Sequence, residues 1–121
     1  EDERFVREGD DLITALDVPA PVAALGGKLR VPTLQDSTSI ELPSGTQPGE
    51  VLTIKGEGMP ALGHSRRGNL RVVVNVVIPR RLSEEQRELL SQLNGTLTAE
   101  NLRSEESMFA KLRRALGSQA A

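Results

Sequence analysis

The first two thirds of the chain alternate between apolar and polar positions in a series of short runs. Residues 12–18 alternate with period two, which indicates a β-strand with one buried face. The same period predicts further strands at 28–31, 38–42, 51–54 and 69–78. Segments rich in proline and glycine separate these runs and predict loops. The pattern therefore predicts a mainly β domain over residues 12–79, folded as a small two-layer β-sandwich.

Helical patterns interrupt and follow the predicted sandwich. Residues 22–25 are rich in helix formers and stop at two glycines, which predicts a short internal helix. Farther along, Ser83 and Gln86 have the spacing of a capping box and predict the start of a second helix. The Asn94 and Gly95 pair is expected to end that helix. We expect this helix, within residues 80–95, to pack on or beside the β-domain.

Beyond a predicted linker at 96–103, residues 104–117 predict a last helix with one apolar stripe, before a tail at 118–121. The stripe consists of Met108, Phe109, Leu112, Ala115 and Leu116. Such a short helix is marginal alone in water, and burying each large apolar side chain would stabilise it by about 1.5–3 kcal/mol. We expect a dimerisation or docking helix; the alternatives are folding back onto its own domain or lying on a membrane surface.

Composition narrows the classes of function. The chain has 17 acidic and 15 basic residues and a formal charge of −2, which argues against a general nucleic-acid binder. The absence of cysteine excludes a disulfide scaffold, a thiol nucleophile and a cysteine-ligated zinc site within this sequence. No apolar run reaches membrane-spanning length. We expect a cytoplasmic protein that binds neither nucleic acid nor membrane.

The candidate catalytic and cofactor motifs are weak. Residues 56–61 match the dinucleotide pattern G-x-G-x-x-A, but Pro60 makes the required following helix improbable, so a glycine-built turn is the interpretation. The single histidine, His64, lies in a long loop and is expected to be a solvated side chain. No other residues form a catalytic or metal-ligating set. The sequence predicts no enzyme, and no cofactor or metal in this part of the protein.

Six short motifs occur along the chain in a fixed order. They are FVREGDDL at 5–12, AALGG at 23–27, VPTL at 31–34, PSGTQPG at 43–49, KGEGMP at 55–60 and RGNL at 67–70. This series resembles the C-terminal part of the DnaJ family of J-domain co-chaperones. The resemblance implies the second of two similar β-domains, followed by the dimerisation segment. Residues 1–11 would then be the connection from a first β-domain. A full-length member would carry a J-domain upstream, and many members, but not all, also carry a structural zinc module there.

The same resemblance implies a function and its site. Family members are homodimers that bind non-native polypeptides and pass them to a DnaK-type chaperone. In this family the clearest client groove lies on the first β-domain, between its first strand and the strand after its short helix. The present domain repeats that plan, so the matching surface would involve Thr14, Leu16, Leu29 and Val31. The alternation of apolar and polar residues, taken alone, predicts instead that these four residues belong to the core of a two-layer fold. The dimer contact would involve Met108, Phe109, Leu112 and Leu116, and a purely structural dimerisation module without client binding is the alternative function.

Overall fold

The computed structural model describes residues 3–60, 67–103 and 108–117, apart from the side chains of Met108 and Lys111. The chain divides into two compact units, Glu1–Arg80 and Arg81–Ala121. The first contains β1 (Val6–Glu8), β2 (Asp11–Pro19), α1 (Ala20–Leu25), β3 (Gly27–Pro32), β4 (Ser37–Leu42), β5 (Val51–Ile54) and β6 (Leu70–Val77). The second contains α2 (Glu84–Thr96) and α3 (Met108–Gly117).

The strands of the first unit form two sheets. The larger sheet has the order β1-β2-β6-β5, and β3 and β4 form a two-stranded sheet. The central strands β2 and β6 run parallel, with their register extending from Leu12 opposite Leu70 to Pro19 opposite Val77. All other pairs are antiparallel. The prediction of a mainly β, two-layer sandwich with a short internal helix is confirmed.

The core fills the space between the two sheets. Side chains from the large sheet, such as Leu70 and Val72 on β6, pack in one cluster with Val31 of β3. A second cluster joins Val18 of β2 to Leu42 of β4. These five side chains are all essentially inaccessible to solvent. Burial of one face of each sheet against the other accounts for the alternation along the strands.

The turn from α1 into β3 depends on a glycine. Gly26 ends α1 with φ of 77° and ψ of 179°, a conformation that side chains disfavour. A Cβ at Gly26 would also lie 2.7 Å from the carbonyl oxygen of Leu42 and from the amide nitrogen of Ser44. The predicted glycine stop of the internal helix is therefore confirmed.

The long loop after β5 is fastened to the turn between β1 and β2. The Met59 amide donates to the carbonyl oxygen of Asp10 at 2.7 Å. Gly58 donates to the carbonyl of Gly68 at 2.9 Å, and Gly68 donates to that of Met59 at 2.8 Å. A Cβ at Gly68 would overlap the Asp10 carbonyl, and a Cβ at Gly58 would lie 2.6 Å from its oxygen. Residues 56–60 form no helix, in agreement with the predicted glycine-built turn.

Two details of the secondary structure add to the prediction. Strand β1 lies within residues 1–11, the segment predicted to be a connection; it has only three residues, all exposed, so no alternation marks it. Helix α2 continues to Thr96, one residue beyond the predicted stop at Asn94 and Gly95. The capping box is confirmed, because Ser83 and Gln86 exchange both of its hydrogen bonds.

Candidate functional site

Two of the four predicted client-binding residues are buried. Val31 on β3 has no exposed surface and belongs to the core between the sheets. Thr14 on β2 is 8% exposed, and its hydroxyl donates a hydrogen bond to the carbonyl oxygen of Arg4 at 2.8 Å. That bond satisfies the buried hydroxyl inside the domain. In this conformation neither side chain offers a surface to a partner.

The other two predicted residues lie at the margin of the core. Leu16 on β2 and Leu29 on β3 are both partly buried and pack against the cluster that contains Val18. They come from different sheets and pack against the same core cluster. The buried members of that cluster are Val18, Ala23, Leu42 and Val74. A client that uses these residues therefore has to approach along their outer margin.

Unpaired strand edges are the parts of this domain suited to bind an extended chain. Strands β3 and β4 pair only with each other among the described residues, so each has one free edge. Strands β1 and β5 are likewise the edges of the large sheet. A free edge carries unpaired backbone amide and carbonyl groups that can add a further strand. Of these edges, β3 is the one that carries Leu29 and Val31.

An ion-pair cluster holds β1 against the two central strands. Arg71 on β6 pairs with Glu8 of β1, and its Nε lies 3.6 Å from Oδ2 of Asp11. The hydrogen bond that Arg71 donates to the Glu8 carboxylate raises the pKa of Arg71 above its ordinary value; desolvation opposes this rise, while the charges of Glu8 and Asp11 add to it. The two carboxylates thus stabilise the positive charge that the arginine carries. Sequence patterns did not indicate this cluster, because its members are far apart in the chain.

Helix α3 presents an apolar face to solvent. Phe109 is 66% exposed, Leu112 53% and Leu116 57%. Their spacing places them on one side of the helix, where the guanidinium of Arg113 lies 5.0 Å from the centre of the Phe109 ring. Three of the four predicted dimerisation residues thus form one exposed surface; the side chain of Met108 lies outside the described part of the chain. We call this surface the α3 face.

Helix α2 exposes a second apolar stripe. Its members are Leu89, Leu90, Leu93 and, directly after the helix, Leu97. Leu89 is 58% exposed and Leu93 55%, and no residue of α2 is buried. The leucines have helical spacing in the sequence, and the helix that carries them was expected to pack on or beside the β-domain. We call these four residues the α2 stripe.

The described residues offer little for catalysis or metal binding. Across 3–60, 67–103 and 108–117, no three histidine, aspartate or glutamate side chains gather where they could hold a metal ion. None of the helices in these ranges is long and apolar enough to cross a membrane. His64 lies outside them, so its predicted solvent exposure stays a prediction.

Known proteins match this chain over most of its length. The model of the DnaJ C terminal domain family matches residues 1–79. The chaperone protein DnaJ of Oleidesulfovibrio alaskensis is 40% identical over 117 residues, which cover 97% of this chain. The chaperone protein DnaJ of Deinococcus proteolyticus is 48% identical over 93 residues, or 77% of this chain. The chaperone protein DnaJ 1 of Mycolicibacterium paratuberculosis is 49% identical over 92 residues, or 75% of this chain.

The matched region is a limited part of each relative. The chain spans 30% of the Deinococcus protein and 31% of the Oleidesulfovibrio protein. The family model covers the β-sandwich unit, and the Oleidesulfovibrio alignment extends over most of the helical unit as well. The order of motifs, the two-layer sandwich and these matches agree with one another. The chain belongs to the DnaJ C-terminal domain family.

Proposed function

We propose that this chain is the client-binding and dimerisation region of a cytoplasmic co-chaperone. It binds non-native polypeptides without catalysis, cofactor or metal, and without nucleic acid or membrane. A J-domain elsewhere in the longer protein delivers the client to a DnaK-type chaperone. The observation that carries the proposal is the combination of a sandwich with free strand edges and helices whose leucines are exposed. Both are surfaces that a binding module uses.

The client adds to the free edge of β3. An extended polypeptide pairs its backbone with this edge, and its apolar side chains contact Leu29 and, beyond it, Leu16. Thr14 and Val31 are buried in the same two strands, and their role is to fix the positions of these two leucines. Their burial also favours the second candidate function, a dimerisation module that leaves client binding to another domain. The two functions differ in whether the chain itself protects a client.

Hydrogen exchange distinguishes the two functions and locates the client. An excess of a permanently unfolded, apolar model polypeptide is added, and amide exchange is followed along the chain. We expect at least tenfold slower exchange within β3, because its outward amides become paired, and no change in β1. Protection of β5 alone would contradict the β3 placement. No protection anywhere, together with no suppression of aggregation of a heated model protein, would leave only the structural function.

The α3 face makes the dimer contact. Burying its three described side chains against a second copy removes apolar surface that is now more than half exposed. Two client sites on one dimer then hold one unfolded chain more tightly than either site alone, because the second contact becomes intramolecular. Dimerisation is thus part of the proposed client affinity.

A charge in the α3 face is expected to abolish the dimer. Leu112→Asp places a carboxylate at the centre of this surface and should raise the dimer dissociation constant at least a hundredfold, since each copy would bury an unpaired charge. Light scattering at concentrations from 1 to about 200 µM measures the change. Leu102→Asp is the matched control, because Leu102 is 71% exposed and lies outside both helices. A parent chain that is monomeric throughout this range would contradict the proposed dimer.

A further inference from the structure

We infer that the α2 stripe is the docking surface for α3 of a second copy, so that each dimer contains two reciprocal contacts between α2 and α3. This inference rests on the proposed dimerisation and specifies its geometry. The direct alternative is pairing of the α3 faces with each other. Area and charge on the two helices separate these arrangements.

The apolar area of α3 alone is small for a stable dimer. Burying one leucine side chain removes about 100 Å² of apolar surface, so the three half-exposed side chains of the α3 face supply about 200 Å² per copy. A stable interface buries about 800 Å² per partner, of which about 60% is apolar. The α2 stripe supplies about another 200 Å², because its four leucines are also roughly half exposed. Reciprocal docking buries both surfaces and comes close to the required apolar area.

Both surfaces are available in the single chain. Leu89 and Leu93 on α2 and Phe109 and Leu116 on α3 are each more than half exposed. The α3 of the same chain therefore does not cover the α2 stripe. A second copy supplies an identical α3 that can cover the α2 stripe of the first copy. By two-fold symmetry, the α2 stripe of the second copy receives α3 of the first.

The charges of the two helices are complementary. Within Glu84–Thr96, α2 carries three glutamates and one arginine, a net charge of −2. Within Met108–Gly117, α3 carries one lysine and two arginines, a net charge of +3. Pairing two copies of α3 brings charges of +3 together, whereas α3 on α2 joins opposite charges. The glutamates lie in the first turns of α2, and Arg113 and Arg114 lie in the second half of α3, so an antiparallel arrangement of the two helices places these opposite charges side by side.

Two charge-reversed proteins test the reciprocal contact. One carries Glu85→Lys with Glu88→Lys on α2, and the other carries Arg113→Glu with Arg114→Glu on α3. Each alone has like charges at both contacts, and we expect at least tenfold weaker self-association than the parent. An equimolar mixture should form a heterodimer with nearly parental affinity, because both of its contacts join opposite charges. Native mass spectrometry with one partner labelled with ¹⁵N measures the heterodimer fraction.

The outcomes separate this inference from the proposed function. A monomeric parent would overturn both. A dimeric parent whose α2-reversed variant associates normally, with no preference for the heterodimer, would overturn the α2 docking surface and leave pairing of the α3 faces. A second pair of variants guards against loss of fold: Leu93→Asp should weaken the dimer at least tenfold, whereas Leu102→Asp should not. Far-ultraviolet circular dichroism should give the same helical content for all of these chains, and recovery in the mixture independently excludes unfolding.

Discussion

Gly68→Ala is expected to destabilise the β-sandwich by about 4 kcal/mol. The added methyl group would overlap the carbonyl oxygen of Asp10, which belongs to the backbone and cannot rotate away. Relief of that overlap requires the loop after β5 to separate from the turn between β1 and β2. The hydrogen bonds of Gly58, Met59 and Gly68 would be lost with it. Because small domains are stable by only about 5–15 kcal/mol, a large fraction of the stability disappears.

Urea denaturation followed by far-ultraviolet circular dichroism measures this loss, since the chain has neither tryptophan nor tyrosine for fluorescence. Gly9→Ala is the matched control, because Gly9 lies in the same turn with φ of 64° but has open space around it. We expect that control to cost about 1 kcal/mol, the strain of a left-handed alanine. Equal effects of the two substitutions would show that the close approach at Gly68 carries no special energy.

Leu70→Ala is expected to destabilise the domain by about 3 kcal/mol. Leu70 begins β6, has no exposed surface, and packs with Leu12 and Val31 from the strands on either side of the core. Its removal leaves a cavity where β2 and β6 meet the small sheet, and neighbouring strands cannot collapse into it without changing their register.

The control for this substitution lies on the same strand. Val77 ends β6 and is 42% exposed, so Val77→Ala should cost less than about 1 kcal/mol. The midpoint of urea unfolding should fall for Leu70→Ala with an unchanged slope, which keeps the comparison within two-state behaviour. A cost at position 70 no larger than that at 77 would contradict the central position of Leu70 in the core.

Sequence patterns predict the long central strands well. Strand β6 has apolar residues at alternate positions over eight residues, and the predicted range of 69–78 differs from Leu70–Val77 by one residue at each end. Its parallel pairing with β2 was beyond the reach of such patterns, because alternation states which face is buried and not which strand is adjacent. Strand β1 escaped prediction for a related reason: the ion pair of Glu8 with Arg71 joins residues 63 positions apart.

Local signals predict the beginning of α2 better than its end. The capping box is a short-range motif, and both of its hydrogen bonds form. At the other end, Gly95 lies within the helix without a positive φ, and the hydroxyl of Thr96 donates to the carbonyl oxygen of Leu93 at 2.8 Å. A glycine permits a helix to end but does not require it to end there. The interactions of the last turn, such as the bond from Thr96 to Leu93, therefore determine the final residue of the helix.

The candidate client site illustrates a limit of alternation. The alternation of apolar and polar residues places four side chains on inward faces, and the structure agrees: Thr14, Leu16, Leu29 and Val31. Whether such a face meets a second sheet or an open groove depends on how the layers pack, which no local pattern contains. The α3 face is different, since a short helix with one apolar stripe is marginal alone in water and is expected to pack against another surface. Sequence therefore indicates the need for a partner more directly than it indicates a groove.

The parallel pairing of β2 with β6 has a consequence for how the domain folds during its synthesis on the ribosome. The two strands at the centre of the large sheet are 58 residues apart, as in the bond from the Asn69 amide to Asp11. Until residue 77 has been synthesised, β2 lacks its main partner strand, although the two strands of the small sheet opposite it, which end at Leu42, have already been made. Domains with such distant contacts fold slowly and expose open edges meanwhile. During that interval the nascent domain is itself a non-native polypeptide of the kind that it is proposed to bind.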